Sequence, residues 1–470
     1  MRTSFSVAAL CAALLLPSDV ISQARDVPTD GPFVAAYDAA QPAREAYFSG
    51  DYAQVVALAT PLADTGNAVA QNLLATLFTD AAYAGFDFDK GMQLYQAAAD
   101  QGYAKAFHNI GLTHLNDLPG YPADDVAAAA AFRAGADLGY LSSYAQLINL
   151  RLFGGDAVQD AADGQALIAQ ALALDPTNPE ILFQAGEAAY TGTGEPEDNA
   201  KALAFYRQAA DQDHPEANYA AGYMLTYGLG TDMDDTAADA YFSRAAELGH
   251  VAAHGYLAQS LVFGYGGPAD PVRGLEVAEN GAALGDGLSF EVLGDIYEYG
   301  EAGETDFDKA RGYFQQAIDA GHPDGYIRLG DLASFGKGEA EDLAKAYDLY
   351  SQGLAAGATY DGALLVGGAK LYGRGTSQDL QAGRALLLDA WAQGNTRALA
   401  DLVTAHGDPD YAVGDDDDLR AYAFCILARE FQDIDSDPDF FFTAVPVCNR
   451  LDTSLSDEKK SAARALSNLL

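Results

Sequence analysis

Residues 287–322, GLSFEVLGDIYEYGEAGETDFDKARGYFQQAIDAGH, hold the pattern on which the rest of the chain is built. The first half sets Leu293 and Gly294 just ahead of Tyr297 and breaks at Gly300 and Gly303. The second half places Ala310, Tyr313, Phe314 and Ala317 and closes on Gly321. Spacings of three and four put the apolar residues of each half on one helical face. The glycines between and after them read as a loop and a helix C-cap. A helix pair this short cannot bury both apolar faces, so it requires like neighbours on either side.

Those neighbours are present. The closing glycine returns as Gly249, Gly285, Gly321 and Gly357, 36 residues apart each time, and as Gly66, Gly102 and Gly139 at spacings of 36 and 37. Gly394 follows Gly357 by 37, and Asp213 holds the same register 36 before Gly249. One degenerate unit lies between Gly139 and Asp213, where Asp175-Pro176-Thr177-Asn178-Pro179 is the stop signal. A second glycine recurs inside the first helix, at Gly111, Gly186, Gly222, Gly294, Gly330 and Gly367. Glycine within a helix costs about 1 kcal/mol relative to alanine. Its return in one register therefore implies a close approach by the partner helix. Seven residues before the closing register stands a large side chain, Tyr95, Phe132, Tyr206, Phe242, Phe314, Tyr350 or Leu387, which reads as core filling each layer.

The pattern resembles the Sel-1-like repeat family, a branch of the tetratricopeptide-type α-solenoids. Ala217, Ala221-Gly222, Leu225, Gly228 and Gly230, then Tyr241-Phe242, Ala245-Ala246 and Gly249 carry one copy. Leu329-Gly330, Gly336 and Gly338, then Lys345-Ala346, Tyr350 and Gly357 carry another. Residues 67–102 lack the loop glycines, and Ala278 stands where an aromatic is expected. The resemblance implies an all-α fold, a right-handed superhelical solenoid of antiparallel helix pairs. The expected organisation is a signal peptide over 1–24, a linker over 25–42 and an N-terminal capping helix pair over 43–66. About nine repeats of 36–37 residues then fill 67–395, and divergent capping helices fill 396–470.

Met1-Arg2-Thr3 followed by the apolar run Val7 to Leu16 and by Ser22-Gln23-Ala24 is the pattern of a secretory signal peptide. The expected address is periplasmic or secreted. No later stretch approaches the roughly 18 unbroken apolar residues of a membrane span, so no membrane insertion of the mature chain is expected. With 26 Lys+Arg against 68 Asp+Glu, the formal net charge of −42 would repel phosphate backbones and disfavours nucleic acid as a partner. Cys425 and Cys448, the cysteines outside the leader, are a disulfide candidate in an oxidising compartment, with two buried free thiols the alternative.

His214, His250 and His322 share one place between repeats, so they belong to the repeat pattern and not to a ligand set. No metal-ligand spacing, nucleophile elbow or phosphate-cradling strand–glycine–helix unit is found, and neither catalytic residues nor a cofactor or metal are assigned. Asp433, Asp435, Asp437 and Asp439 imitate the start of a calcium loop, but Pro438 and Ala444 stand where its glycine and bidentate glutamate belong.

In tetratricopeptide-type solenoids the first helices line the concave face. Carried over, the inward positions are Glu187, Tyr190, Tyr219, Tyr223, Gln259, Glu291, Asp295, Glu298 and Asp331. Tyrosines beside carboxylates suit a protein or peptide partner bearing Lys or Arg. The function so implied is that of an exported, non-enzymatic scaffold for protein–protein or protein–peptide interaction in the cell envelope. The alternatives are a ligand-binding or hydrolytic protein of the β-lactam-binding type, or a secreted protein that contacts a host surface. Members of that β-lactam-binding type carry a cysteine pair in each repeat, and these repeats carry none.

Overall fold

The computed structural model describes residues 31–301, 303–358, 361–411, 417–431 and 438–469. The expected signal peptide, most of the acidic 433–439 stretch and the start of the expected linker lie outside them. The described residues form 24 helices, with one isolated bridge between Leu118 and Tyr121 and no strand. They divide into two compact units that meet in sequence between Leu248 and Gly249.

In the first unit, α1 (Val34–Phe48) folds back on α2 (Tyr52–Asp64), α3 (Ala68–Phe78) on α4 (Phe88–Ala99), and α5 (Ala104–Leu115) on α6 (Asp125–Asp137). The pairs α7 (Leu141–Phe153) with α8 (Ala161–Leu174), α9 (Pro179–Thr191) with α10 (Asn199–Ala210), and α11 (Pro215–Thr226) with α12 (Asp235–Glu247) continue the stack. Helix α1 starts inside the expected linker and runs through Pro42. Its buried face, Tyr37, Ala40, Ala43 and Ala46, passes the exposed proline unbroken, so packing outweighs the one lost N–H.

In the second unit, α13 (Ala253–Phe263) pairs with α14 (Pro271–Ala283), α15 (Gly287–Tyr299) with α16 (Phe307–Asp319), and α17 (Asp324–Ser334) with α18 (Leu343–Ala356). Then α19 (Asp361–Tyr372) pairs with α20 (Leu380–Ala392), and α21 (Ala398–Gly407) with α22 (Asp417–Phe431). Two further helices, α23 (Pro438–Ser454) and α24 (Asp457–Ser467), close on α21 and α22. Cys425 and Cys448 are bonded there with their Cα atoms 5.8 Å apart, inside a core that includes Leu402, Phe424 and Leu451.

Two recurring devices set each pair. The first is the internal glycine. A Cβ on Gly186 would lie 2.5 Å from the Tyr206 ring, one on Gly222 2.9 Å from Phe242, and one on Gly294 2.2 Å from Phe314. Each glycine thus admits the large side chain of the second helix, which fills the layer. Where the first helix carries Ala258 in place of glycine, the second carries the small Ala278, and both are fully buried. This accounts for the missing aromatic.

The second device is an aspartate before the second helix. Asp87, Asp124, Asp160, Asp198, Asp234, Asp270, Asp306, Asp342 and Asp379 each accept a hydrogen bond from the backbone N–H three residues on, at 2.9–3.1 Å. That bond satisfies one of the free donors of the helix start and places negative charge at the positive end of the helix dipole. The backbone N–H of the same aspartate donates to a carbonyl of the first helix, as from Asp306 to Tyr297 at 2.8 Å and Asp342 to Ala333 at 2.9 Å. One residue therefore caps one helix and ties down the other.

Candidate interaction surface

In the first unit, Glu187 and Tyr190 stand on α9, and Tyr219 and Tyr223 on α11, all half-buried. Glu187 accepts a hydrogen bond from the hydroxyl of Tyr206, the residue that fills the space beside Gly186. Burial raises the Glu187 carboxyl, and the Tyr206 hydrogen bond pulls it back down. Glu187 is accordingly engaged by its own helix pair. The tyrosines do make a surface. Tyr223 lies 6.5 Å from Tyr219 and 4.6 Å from Tyr227, ring centre to ring centre, and Tyr219 lies 5.9 Å from Phe242. Tyr227 is 53% exposed, so the ladder runs from the core edge into solvent. Burial first, then Tyr227 and Tyr190, push the Tyr223 hydroxyl well above its ordinary range, and it stays neutral. Tyr227 is not among the inward positions that the repeat register gives, and its spacing of four from Tyr223 is the sequence signal that joins it to the ladder.

In the second unit, Glu291, Asp295 and Glu298 stand on α15 and Asp331 on α17, while Gln259 is half-buried on α13. Asp295 and Glu298 are buried, and cations from the next repeat meet them. Arg328 pairs with Asp295 and approaches Glu291 at 3.7 Å; Lys337 pairs with Glu298 at 2.6 Å. Asp331 accepts from the Tyr350 hydroxyl at 2.8 Å. Burial raises the Asp331 carboxyl, against the lowering effect of Tyr350 and Arg328. These four carboxylates form a network between repeats, and Arg328 and Lys337, which spacing did not single out, are part of it.

The two histidines followed by proline join successive repeats. His214 lies 3.3 Å from both Glu180 and Glu216 and stacks on Phe183 with centroids 4.9 Å apart. His322 lies 2.6 Å from Glu291 and 3.8 Å from Asp324. Burial alone would lower both imidazoles, but the hydrogen bond and charge of Glu180 and of Glu291 raise them on balance, helped by Glu216 and by Asp324 and Asp286. Glu291, His322 and Asp324 bring three ligand atoms within 4.8 Å of one another, the spacing of a metal site. The imidazole nitrogen is already bonded to Glu291, and the Arg328 guanidinium stands beside the same carboxylate. With the His214 joint built alike, the set acts as a clasp between repeats.

The Sel1 repeat family model matches residues 68–103, 180–214, 215–250, 292–322, 323–357 and 361–395. No curated protein matches the chain in sequence. Among solved structures, it is similar to a protective antigen present in uropathogenic Escherichia coli strains, described as displaying an SLR fold. That likeness has 22% identity and a TM-score of 0.54, over 87% of this chain and 93% of that one. It is also similar to a Sel1 repeat protein from Oxalobacter formigenes, with 24% identity and a TM-score of 0.46 over 65% of this chain and 88% of that one.

Proposed function

The chain is a Sel1-repeat protein, an α-solenoid of a kind that typically serves as a scaffold for protein–protein interaction, and from that premise we propose an exported, non-enzymatic scaffold that captures a protein or extended peptide on its first helices. The tyrosine ladder of Tyr219, Tyr223 and Tyr227 carries this reading. Stacked tyrosines offer stiff apolar area that loses little side-chain freedom on binding. The −42 net charge favours a basic partner and speeds its encounter at low salt. Among the described residues no helix is long and apolar enough to cross a membrane. Export rests on the leader-like pattern Met1 to Ala24.

The test is capture from a periplasmic extract by the purified chain, followed by affinity measurement with the partner recovered. Exchanging Tyr219 and Tyr223 for Ala should weaken binding by tenfold or more, about 1.4 kcal/mol, and changing the loop acids Glu195 or Asp234 should not. Equal effects from the two sets would remove the ladder from the interface. Fractionation of cells expressing the whole gene tests export separately, and retention in the cytoplasm would overturn it.

A further inference from the structure

The second unit buries a carboxylate that the repeat pattern does not require. Four residues after the tight position other repeats carry Thr226, Val262, Ser334 and Leu371, all uncharged, but α15 carries Glu298 there. Its side chain is 1% exposed. A buried carboxylate is costly unless it is paired and its oxygens are hydrogen-bonded. Oε1 accepts from Lys337 at 2.6 Å, whereas Oε2 is buried with no hydrogen bond among the described residues. Native interiors leave few such atoms unmatched, so Lys337 answers only half of this carboxylate.

Two aromatic rings flank the same ammonium. Lys337 Nζ lies 5.1 Å from the centre of the Tyr299 ring and 5.7 Å from that of Phe335. Within about 6 Å a ring face attracts a cation. Tyr299 is nonetheless 49% exposed and Phe335 70% exposed. Glu298 and Tyr299 end α15, and Phe335 caps α17, so packed helices hold the walls. Lys337 comes instead from the loop after α17, between Gly336 and Gly338, both in the left-handed region. Its side chain can therefore swing out while the helices stay in place. Arg328 lies 6.0 Å from the Tyr299 ring, but Asp295 already holds it.

We propose that Glu298, Tyr299 and Phe335 form a receptor for an arginine side chain of a protein partner, and that Lys337 is a built-in occupant which the partner displaces. A guanidinium presents two parallel N–H donors that match both oxygens of a carboxylate, and its flat faces stack on aromatic rings. The Lys337 ammonium engages one oxygen and leaves Oε2 unmet. The site is thus filled by a cation of the right charge and the wrong shape. While Lys337 sits there it neutralises Glu298, and it lowers the apparent affinity of an incoming cation by the fraction of time it occupies the site. The reading deepens the basic-partner proposal above and rests on it for the class of partner. Its site shares no residue with the tyrosine ladder.

Calorimetric titration of the full chain with N-acetyl-arginine methylamide tests this, with the lysine and citrulline counterparts as comparison probes. The arginine probe should bind, the lysine probe less tightly, and the neutral citrulline probe at least about tenfold more weakly than arginine. Lys337→Ala, which empties the site, should bind the arginine probe at least about fivefold more tightly than wild type. Lys337→Arg, a better-matched occupant, should bind it more weakly than wild type, and Glu298→Gln should lose it. Lys345→Ala, which removes a cation elsewhere in the unit, should change nothing. Circular dichroism and the Tm of each variant separate lost binding from lost fold, and Lys337→Met, which keeps the apolar stem, replaces the Ala variant if that one does not fold. A lysine with a structural role alone would leave the emptied variant less stable and no better at binding, and that result overturns the proposal. Equal binding of the citrulline probe overturns it too, as does no binding to the emptied variant at millimolar probe. If the lysine probe binds as tightly as arginine, the match to both oxygens fails and the arginine assignment with it. Exchanging Tyr219 and Tyr223 for Ala should leave these titrations unchanged, so failure of the ladder and failure of this site are told apart.

Discussion

The Tyr350 ring lies where a Cβ on Gly330 would be, 2.4 Å away, and its hydroxyl donates to Asp331, the residue after that glycine. One position admits the ring and the next receives its polar tip. The same relation joins Tyr206 to Gly186 and Glu187. In the earliest repeat Tyr95 donates to Thr76 at 2.9 Å, again the position after the tight one, which there is Ala75.

Exchanging Gly330 for Leu should therefore cost about 1–3 kcal/mol or more, because the ring cannot withdraw from a filled layer. Urea unfolding measures it. An unchanged midpoint would take away the reason for the glycine register. A Tyr350→Leu change made in the same chain should recover part of the loss.

Exchanging Asp342 for Ala removes a cap whose form recurs from one helix pair to the next, and should cost about 1 kcal/mol. Asp342→Asn should cost less, since the amide oxygen still accepts. If both variants unfold at the wild-type midpoint, the cap contributes nothing.

The His322 clasp gives stability a pH dependence of defined sign. The imidazole is raised above its ordinary value by Glu291 and Asp324 against the pull of burial. Its contribution is then fully present below the unfolded-state pKa of about 6.5 and is lost as pH rises through the raised folded value. The Tm difference between wild type and His322→Gln should be larger at pH 6 than at pH 9. A difference that is flat or grows with pH would contradict the assignment.

Cys425 and Cys448 close a loop with a sequence separation of 23. In the chain-entropy model a loop of this size stabilises by about 3 kcal/mol. The double Ala variant should lower the unfolding transition of the second unit, and thiol titration of the unfolded, unreduced protein should find neither sulfur free. Two free thiols would refute the bond.

What the sequence made legible was whatever repeats. The tight glycines and the large side chains facing them recur at one spacing, so Gly330 and Tyr350 could be matched without coordinates. The capping aspartates recur as regularly, from Asp198 to Asp342 at steps of 36, but spacing alone does not show the hydrogen bonds that give them their role. Arg328 was not legible at all. It stands two before its tight glycine, where other repeats carry Gln184, Ala220 or Val292, so no register announces a cation against Asp295.

The double role of the joint aspartate also bears on how such a chain can change length. Asp306 and Asp342 occupy the same joint one period apart, each holding the helix before it and starting the helix after it. Excision of residues 307–342 would set Asp306 directly before Leu343, with its cap and its tether both intact. Gly294 would then face Tyr350 in place of Phe314, and the tyrosine hydroxyl would find Asp295 where Asp331 had been. The joint and the layer are thus refilled by residues that already perform those tasks, while Arg328 and Lys337 leave with the excised segment, so the cost of losing a period falls on Asp295 and Glu298.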